Sequence, residues 1–364
     1  MGKALVTGAS GFLGSRVARQ LVERGDDVKV LLRPGSSRRA LAGLPVEIAE
    51  GDISVGHTVY RALAGCDRVY HVAAVYKMWD RDPQNILRPS IEGTREVMEA
   101  IARRGSAIEK VVVTSSVAAI GSRADGTPMT EEQPWDQDDA ITYVVAKRRA
   151  EEVALSYAKT IPVTVVCPGG IFGPGDAKPT PSGQIIVRYL NWSAPFAFPG
   201  GPTGISIVDV DDVARGHLAA MEKGRVGERY ILGGDNLTLT QMIETLSGIT
   251  GLPGPGAEPS QGAVSLIGTL SELWARISGS EPEITAKMSE TFAAKLWVSS
   301  AKAERELGYT FRSARKTLAR SVRWYLDRGY IAPERAAVIR YDELPGPDPL
   351  PSLPHERNAV FAEG

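Results

Sequence analysis

The chain has 364 residues, 42 of them basic and 43 acidic, for a formal charge of −1. That length suits one large domain or two modest ones, and the balanced charge argues against nucleic acid, whose phosphates require a concentrated positive field. Two cysteines and four histidines suggest neither a disulfide framework nor a metal site, and with no leader-like segment and no apolar run near the ~18 residues of a membrane span, the chain reads as a cytoplasmic protein.

In chain order, residues 3–7 predict a buried strand, and a turn carrying Gly8, Gly11 and Gly14 follows. Residues 15–24 then predict a helix with Val17, Leu21 and Val22 on one face, and residues 28–32 a second strand. This is a βαβ unit of about 30 residues, the size of a mononucleotide-binding half. Further strands are expected at 46–49, 68–73, 110–115 and 162–166, with helices at 58–64, 91–103 and 143–158 between them. Such alternation implies a parallel sheet covered on both faces.

After Cys167 the texture changes. Residues 168–204 are rich in Pro and Gly and read as loops over a site. Helix returns at 209–223 and strand at 230–232, and residues 238–330 read as mostly helical, with 318–326 amphipathic. The fold class is therefore α/β: a Rossmann-type, doubly wound parallel sheet with a smaller, mostly helical C-terminal substrate-binding region. The dinucleotide domain spans 1–168, with 205–235 returning to it. The substrate region takes 169–204 and 236–331. The proline-rich tail, 342–364, has no periodicity and is expected to wrap the surface or stay disordered.

Glycines between a strand and a helix let the backbone approach a pyrophosphate, which the helix N-terminus then meets with free N–H groups. Thr7, Gly8, Ser10, Gly11, Phe12, Leu13 and Gly14 are assigned to that contact. About 20 residues further on, where an acidic side chain commonly holds the ribose hydroxyls, the chain has Arg33, with Arg38 shortly after. A guanidinium cannot accept those bonds but pairs well with a 2′-phosphate, so NADP(H) is expected over NAD(H). Asp52 and Ile53 follow the third strand, near the adenine. Ala73 and Ala74 end the fourth and are small enough to let a cofactor pass; Ser115, Pro168 and Ile171 complete the cofactor set.

Tyr143 and Lys147 are four apart on a predicted helix and share a face. Free Tyr, with a pKa near ~10, is a poor acid–base group at neutral pH, but a neighbouring ammonium and a nicotinamide cation favour the phenolate. Ser115 and Ser116 end the fifth strand, where one of them can hydrogen-bond a substrate oxygen. Tyr76, Trp79, Phe172, Ile185, Trp192 and Phe196 are candidates for the pocket wall; if they line it, the substrate has apolar or aromatic character.

These residues resemble those of the extended short-chain dehydrogenase/reductases. The dihydroflavonol-4-reductase-like branch is the nearest, and within it the hopanoid-associated sugar epimerases. The likeness runs from about residue 3 to 331 and includes His71-Val72-Ala73-Ala74, Trp79-Asp80-Arg81-Asp82-Pro83, Val113-Thr114-Ser115-Ser116-Val117-Ala118, Lys178-Pro179-Thr180-Pro181 and Val210-Asp211-Asp212-Val213-Ala214. The resemblance implies Ser116 as the catalytic serine and a homodimer built on helices 91–103 and 143–158. Three departures stand out. Ser90 occupies the position of a bracing Asn, and Ala146 that of a Ser before the lysine. The segment 204–208 has no Arg of the kind that binds a sugar-nucleotide diphosphate.

The expected function is an NADP(H)-dependent oxidoreductase interconverting a carbonyl and an alcohol in a small-molecule substrate, with Tyr143 as acid/base, tuned by Lys147 and assisted by Ser116. The alternative is a sugar epimerase or dehydratase that recycles its cofactor internally. A catalytically silent protein on the same fold is a third reading, opposed by the intact Ser116, Tyr143 and Lys147.

Overall fold

In the computed structural model, residues 2–74, 77–123, 125–137, 139–193, 201, 203–256 and 295–346 are described. Strands β1 (Lys3–Thr7), β2 (Asp27–Leu32), β3 (Glu47–Glu50), β4 (Arg68–His71), β5 (Lys110–Thr114), β6 (Val163–Pro168) and β9 (Arg229–Leu232) form one sheet in the order β3-β2-β1-β4-β5-β6-β9. Every pairing in it is parallel. The strand order reverses between β1 and β4, and ligands of such sheets bind in the crevice at that point.

The central strands are buried on both faces because both faces are covered. On one face Ala4 and Val6 of β1 meet Leu13, Val17 and Leu21 of α1 (Phe12–Glu23) and Val213 and Leu218 of α6 (Val210–Lys223). On the other, Leu5 meets Val59 of α2 (Gly56–Ala62), Val97, Met98 and Ile101 of α3 (Gln84–Ala102) and Ala154 of α4 (Thr142–Ser156). Helix α3 begins before the expected residue 91 and runs through Pro89. It starts at a turn in which the Asp82 carboxylate accepts from the Gln84 amide, 3.0 Å. Pro89 removes only one i→i−4 bond there, so α3 tolerates it within its second turn.

The stretch expected to be loops holds β7 (Gly170–Phe172) and α5 (Pro181–Asn191). Thr180 caps α5 by accepting from the Gly183 amide at 3.2 Å, and Pro181 opens the helix. A proline at the first helical position is favourable because its missing N–H would have had no partner. A second sheet is built on β8 (Gly204–Asp209). It pairs with β7 and β11 (Lys295–Leu296) in parallel and with β10 (Asp235–Thr238) antiparallel. Helices α5, α7 (Leu239–Thr250) and α9 (Ala314–Asp327) pack on it around Phe172, Ile186, Ile207, Met242, Leu246, Leu318 and Val322. Thus α6 and β9 join the large sheet, whereas β8 belongs to the small one. Short helices α8 (Ala301–Leu307) and α10 (Pro333–Ala336) complete the described elements. The start of the tail lies against this lobe, with Leu344 against its core and Glu343 paired with Arg315; residues 347–364 lie outside the described residues.

Buried charge joins the lobes. Arg16 of α1 holds Asp211 in a fork at 2.6 and 2.8 Å, Arg320 of α9 reaches both Asp209 and Asp211, and Arg312 bonds Asp209 and Asp212. Burial alone would raise the Asp211 pKa, but Arg16 and Arg320 overcome it and hold the carboxyl at about 2. The Val210-Asp211-Asp212-Val213-Ala214 motif therefore clamps the glycine-turn helix to the C-terminal lobe. Among the described residues no helix is long and apolar enough to cross a membrane.

Candidate active site

Gly8 has φ +75°, in the left-handed region, and a Cβ there would stand 2.7 Å from the Ala73 amide nitrogen. At Gly14 a Cβ would come within 2.3 Å of the Gly8 carbonyl oxygen, so only glycine lets α1 sit against the turn. Gly11 precedes α1 with no side-chain cap, the first turn has no acidic residue, and Ser10 and Gly11 are exposed. The leading N–H groups of α1 are thus presented to an anion, and the cradle fits the pyrophosphate of a dinucleotide. Phe12 is half-buried and Leu13 buried, both packed in the core. The Thr7 hydroxyl is taken by β4, accepting from the Ala73 amide at 3.2 Å and bonding His71 Nδ1 at 2.9 Å. Replacing Gly14 by Ala is expected to weaken dinucleotide binding roughly tenfold or more, ~1.4 kcal/mol, since backbone must move. Titration of the variant by calorimetry, with circular dichroism to verify folding, checks this.

Arg33 stands exposed at the end of β2 and has no ion pair among the described residues. Arg38 instead pairs with Glu50 at 2.7 Å, both well exposed. Asp52 spends one oxygen on the Ser54 amide and hydroxyl, at 2.9 and 2.8 Å. Pro168 ends β6 opposite Leu232, and Ile171 of β7 packs half-buried against the core.

One cavity is lined by Ile53, His71, Ala73, Ala74, Ser90, Thr94, Thr114, Ser115, Lys147 and Glu151. The two strand-end serines have different fates. Ser115 is buried and donates to the Glu151 carboxylate. Ser116 begins a tight turn (Val117–Ala119), its oxygen accepting from the Ala118 amide at 3.2 Å. That bond uses a lone pair and leaves the hydroxyl proton for another acceptor, so Ser116 is the one suited to a substrate oxygen. Tyr143 and Lys147 share a face of α4, with the Lys147 ammonium 5.9 Å from the Tyr143 ring centroid. Burial pulls the Lys147 pKa down to about 8, with the Glu151 carboxylate opposing the fall. The Ser90 hydroxyl turns back to the Ile86 carbonyl at 2.7 Å, so it does not reach across as a bracing Asn would.

Tyr143, 7% exposed, packs with Ala118, Ile141 and Val144, edged by Met78, Trp135 and Ala140. Trp135 in turn lies under the Arg148 guanidinium, 5.3 Å from its centroid. Met78 and Trp135 were not anticipated from the sequence. The only hint was an aromatic in the Pro134-Trp135-Asp136 loop. Of the expected pocket residues, Phe172 is 2% exposed and packs in the core of the second lobe. Ile185 packs against that same core. Trp79 is half-buried beside the Lys77–Asp80 pair, and Trp192 half-buried at the end of α5. Tyr76 and Phe196 lie outside the described residues.

Residues 4–233 match the model of the NAD dependent epimerase/dehydratase family. A protein of Synechocystis sp., provisionally named a dihydroflavonol 4-reductase, is 35% identical over 90% of this chain and 95% of its own length. Sterol demethylase protein B of Methylococcus capsulatus is 32% identical over 90% of this chain and 99% of its own. The crystal structure of PA4631, a nucleoside-diphosphate-sugar epimerase from Pseudomonas aeruginosa, superposes with a TM-score of 0.74 at 26% identity, covering 91% of this chain and 99% of that one. The glycine cradle, the seven-strand order and the match over more than half the chain lead to one conclusion: this protein belongs to the NAD dependent epimerase/dehydratase family, the extended short-chain dehydrogenase/reductases, whose enzymes use a nicotinamide cofactor.

Proposed function

We propose that the protein is an NADP(H)-dependent oxidoreductase that interconverts a carbonyl and an alcohol on a substrate with apolar ring character. The observation that carries this reading is the apolar surround of Tyr143 by Met78, Trp135, Ala140, Ile141 and Val144. A sugar-nucleotide site needs polar partners for each hydroxyl and a cation for the diphosphate, and Ile205 and Ile207 occupy β8 with no Arg between them. The names of the Synechocystis and Methylococcus relatives point the same way.

In this reading the glycine turn and α1 hold the pyrophosphate, Arg33 the 2′-phosphate, and Lys147 the nicotinamide ribose. The bound nicotinamide supplies a hydride to the carbonyl carbon or takes one from the alcohol. Tyr143 gives its proton to the carbonyl oxygen, Ser116 donates a hydrogen bond to that oxygen, and Lys147 holds positive charge beside the phenol so that the proton leaves readily. Small sheet and helices α5, α7 and α9 form the substrate side. A homodimer on α3 and α4, which pack together, rests on the family resemblance; light scattering after size exclusion tests it.

The test of cofactor choice is Arg33→Asp. NADPH affinity is expected to fall roughly tenfold to a hundredfold, ~1.4–2.8 kcal/mol, with NADH affinity little changed. Equal losses for both cofactors reject the assignment of Arg33. The sugar epimerase reading, favoured by the family description and the Pseudomonas neighbour, predicts instead that the purified protein carries near-stoichiometric nucleotide, released on denaturation and identified by mass spectrometry.

A further inference from the structure

The cavity lined by Lys147 also holds a buried carboxylate that the scheme above does not use. Glu151 lies one helical turn beyond Lys147 on α4, and its side chain is 1% exposed. It accepts from the Ser115 hydroxyl, from Cys167 Sγ at 3.5 Å and from Arg229 Nη1 of β9 at 3.0 Å. Arg229 is fixed in turn by donating to the Glu131 carbonyl. Four elements thus converge on one carboxylate beside the lysine: the end of β5, β6, β9 and α4 itself.

We propose that Glu151 is a positioning residue for the proton-transfer pair, its carboxylate keeping Lys147 charged in a desolvated cavity while Arg229 limits how strongly it does so. This rests on reading Tyr143 and Lys147 as that pair. The argument is one of charge. An ammonium removed from water loses its proton readily unless a negative group faces it. Around Lys147 stand Tyr143, Arg148 and Glu151 on α4, His71 on β4, Ser115 after β5, Cys167 on β6 and, on α3, the neutral Ser90 and Thr94. His71 is neutral, because burial and the nearby Lys147 push its pKa down to about 4, and burial keeps the Cys167 thiol protonated. Arg148 reaches Glu151 at 4.0 Å but bonds Glu152 at 2.8 Å. Glu151 is therefore the negative charge of this cavity among the described residues. Ser90, turned back on its own helix, offers no substitute.

Two substitutions give opposite signs. Glu151→Gln keeps the shape, removes the negative charge and leaves Arg229 uncompensated, so Lys147 loses its proton at lower pH. Arg229→Gln leaves the carboxylate unopposed, so Lys147 keeps its proton to higher pH. Competitive acetylation of the folded full-length protein with acetic anhydride across pH, read at the Lys147 peptide by mass spectrometry, measures this without any substrate. The Lys147 midpoint is expected to fall by about one pH unit in Glu151→Gln and to rise in Arg229→Gln. An unmoved midpoint in Glu151→Gln, or shifts of the same sign in both variants, overturns the proposal. If one variant does not fold, the sign in the other decides. Expected shifts in a protein whose turnover is indifferent to Tyr143→Phe would reject the proton-transfer reading while leaving the electrostatic one standing.

Discussion

Replacing Tyr143 by Phe is expected to lower kcat by about 10²–10⁴-fold, the usual contribution of a positioned general acid, while leaving NADPH affinity nearly unchanged. The substitution keeps the ring that packs with Ala118, Ile141 and Val144, so those apolar contacts remain. The cofactor contacts argued for the glycine turn and Arg33 do not involve it. Steady-state kinetics on a panel of aromatic and alicyclic ketones, with a parallel NADPH titration, separates the two effects. A variant with full turnover would show that the proton comes from elsewhere. A variant that loses cofactor affinity as well as turnover would mean that Tyr143 is structural. Ser116→Ala is the natural companion, because its hydroxyl proton is left uncommitted by the Ala118 amide bond.

The second large effect is on stability. Two buried histidines flank the sheet near the site. His71 bonds Thr7, and His217 of α6 bonds both Thr114 and the Val213 carbonyl, at 2.8 Å each. A carbonyl only accepts, so His217 carries its proton on Nδ1 and takes a hydrogen bond on Nε2 from the Thr114 hydroxyl. Burial pushes both pKa values down to about 4, with Lys147 adding to the effect at His71. In the unfolded chain each takes up a proton near pH 6.5, whereas the folded protein resists until about pH 4. The unfolded state therefore binds more protons in that window, and stability falls as the pH drops from 6.5 and levels off only below about 4. Each group contributes on the order of 3 kcal/mol across the whole interval, a large part of a domain's net stability. Guanidinium midpoints between pH 7.5 and 5, above the range where most carboxylates titrate, should decline steadily. His217→Gln should flatten that decline by about half. A pH-independent midpoint would mean that these imidazoles reach solvent.

The glycine turn and the large sheet were legible because their signals are local and redundant. Ala4-Leu5-Val6 is apolar without alternation, which only a strand covered on both faces tolerates, and the tight turn at Gly8 and Gly14 needs residues without a Cβ. Tyr143 and Lys147 were legible because helical spacing alone puts them on one face. Elements around prolines were misread. Pro181 stands where a helix absorbs a missing N–H, at its first position, whereas Pro89 sits inside α3 at the cost of one bond, and composition does not distinguish either from a loop. The burial of Phe172 was hidden for a related reason: an aromatic in a Pro/Gly-rich stretch gives no sign of the strand that buries it.

What the sequence determined by itself was the glycine turn, the shared helix face of Tyr143 and Lys147 and the parallel sheet, since each follows from backbone geometry or from a spacing along one element. Tertiary structure alone decided which of two adjacent serines donates to Glu151 and which carboxylate lines the same cavity as the lysine. It also decided which apolar side chains surround Tyr143, and that Asp211 clamps α1 to α9. Ser115 and Ser116 are identical in type, and Glu151 looks like any charged residue on a helix. Their roles depend on partners such as Arg229, 78 residues further along the chain, and such partners are brought close only when β5, β6 and β9 lie side by side.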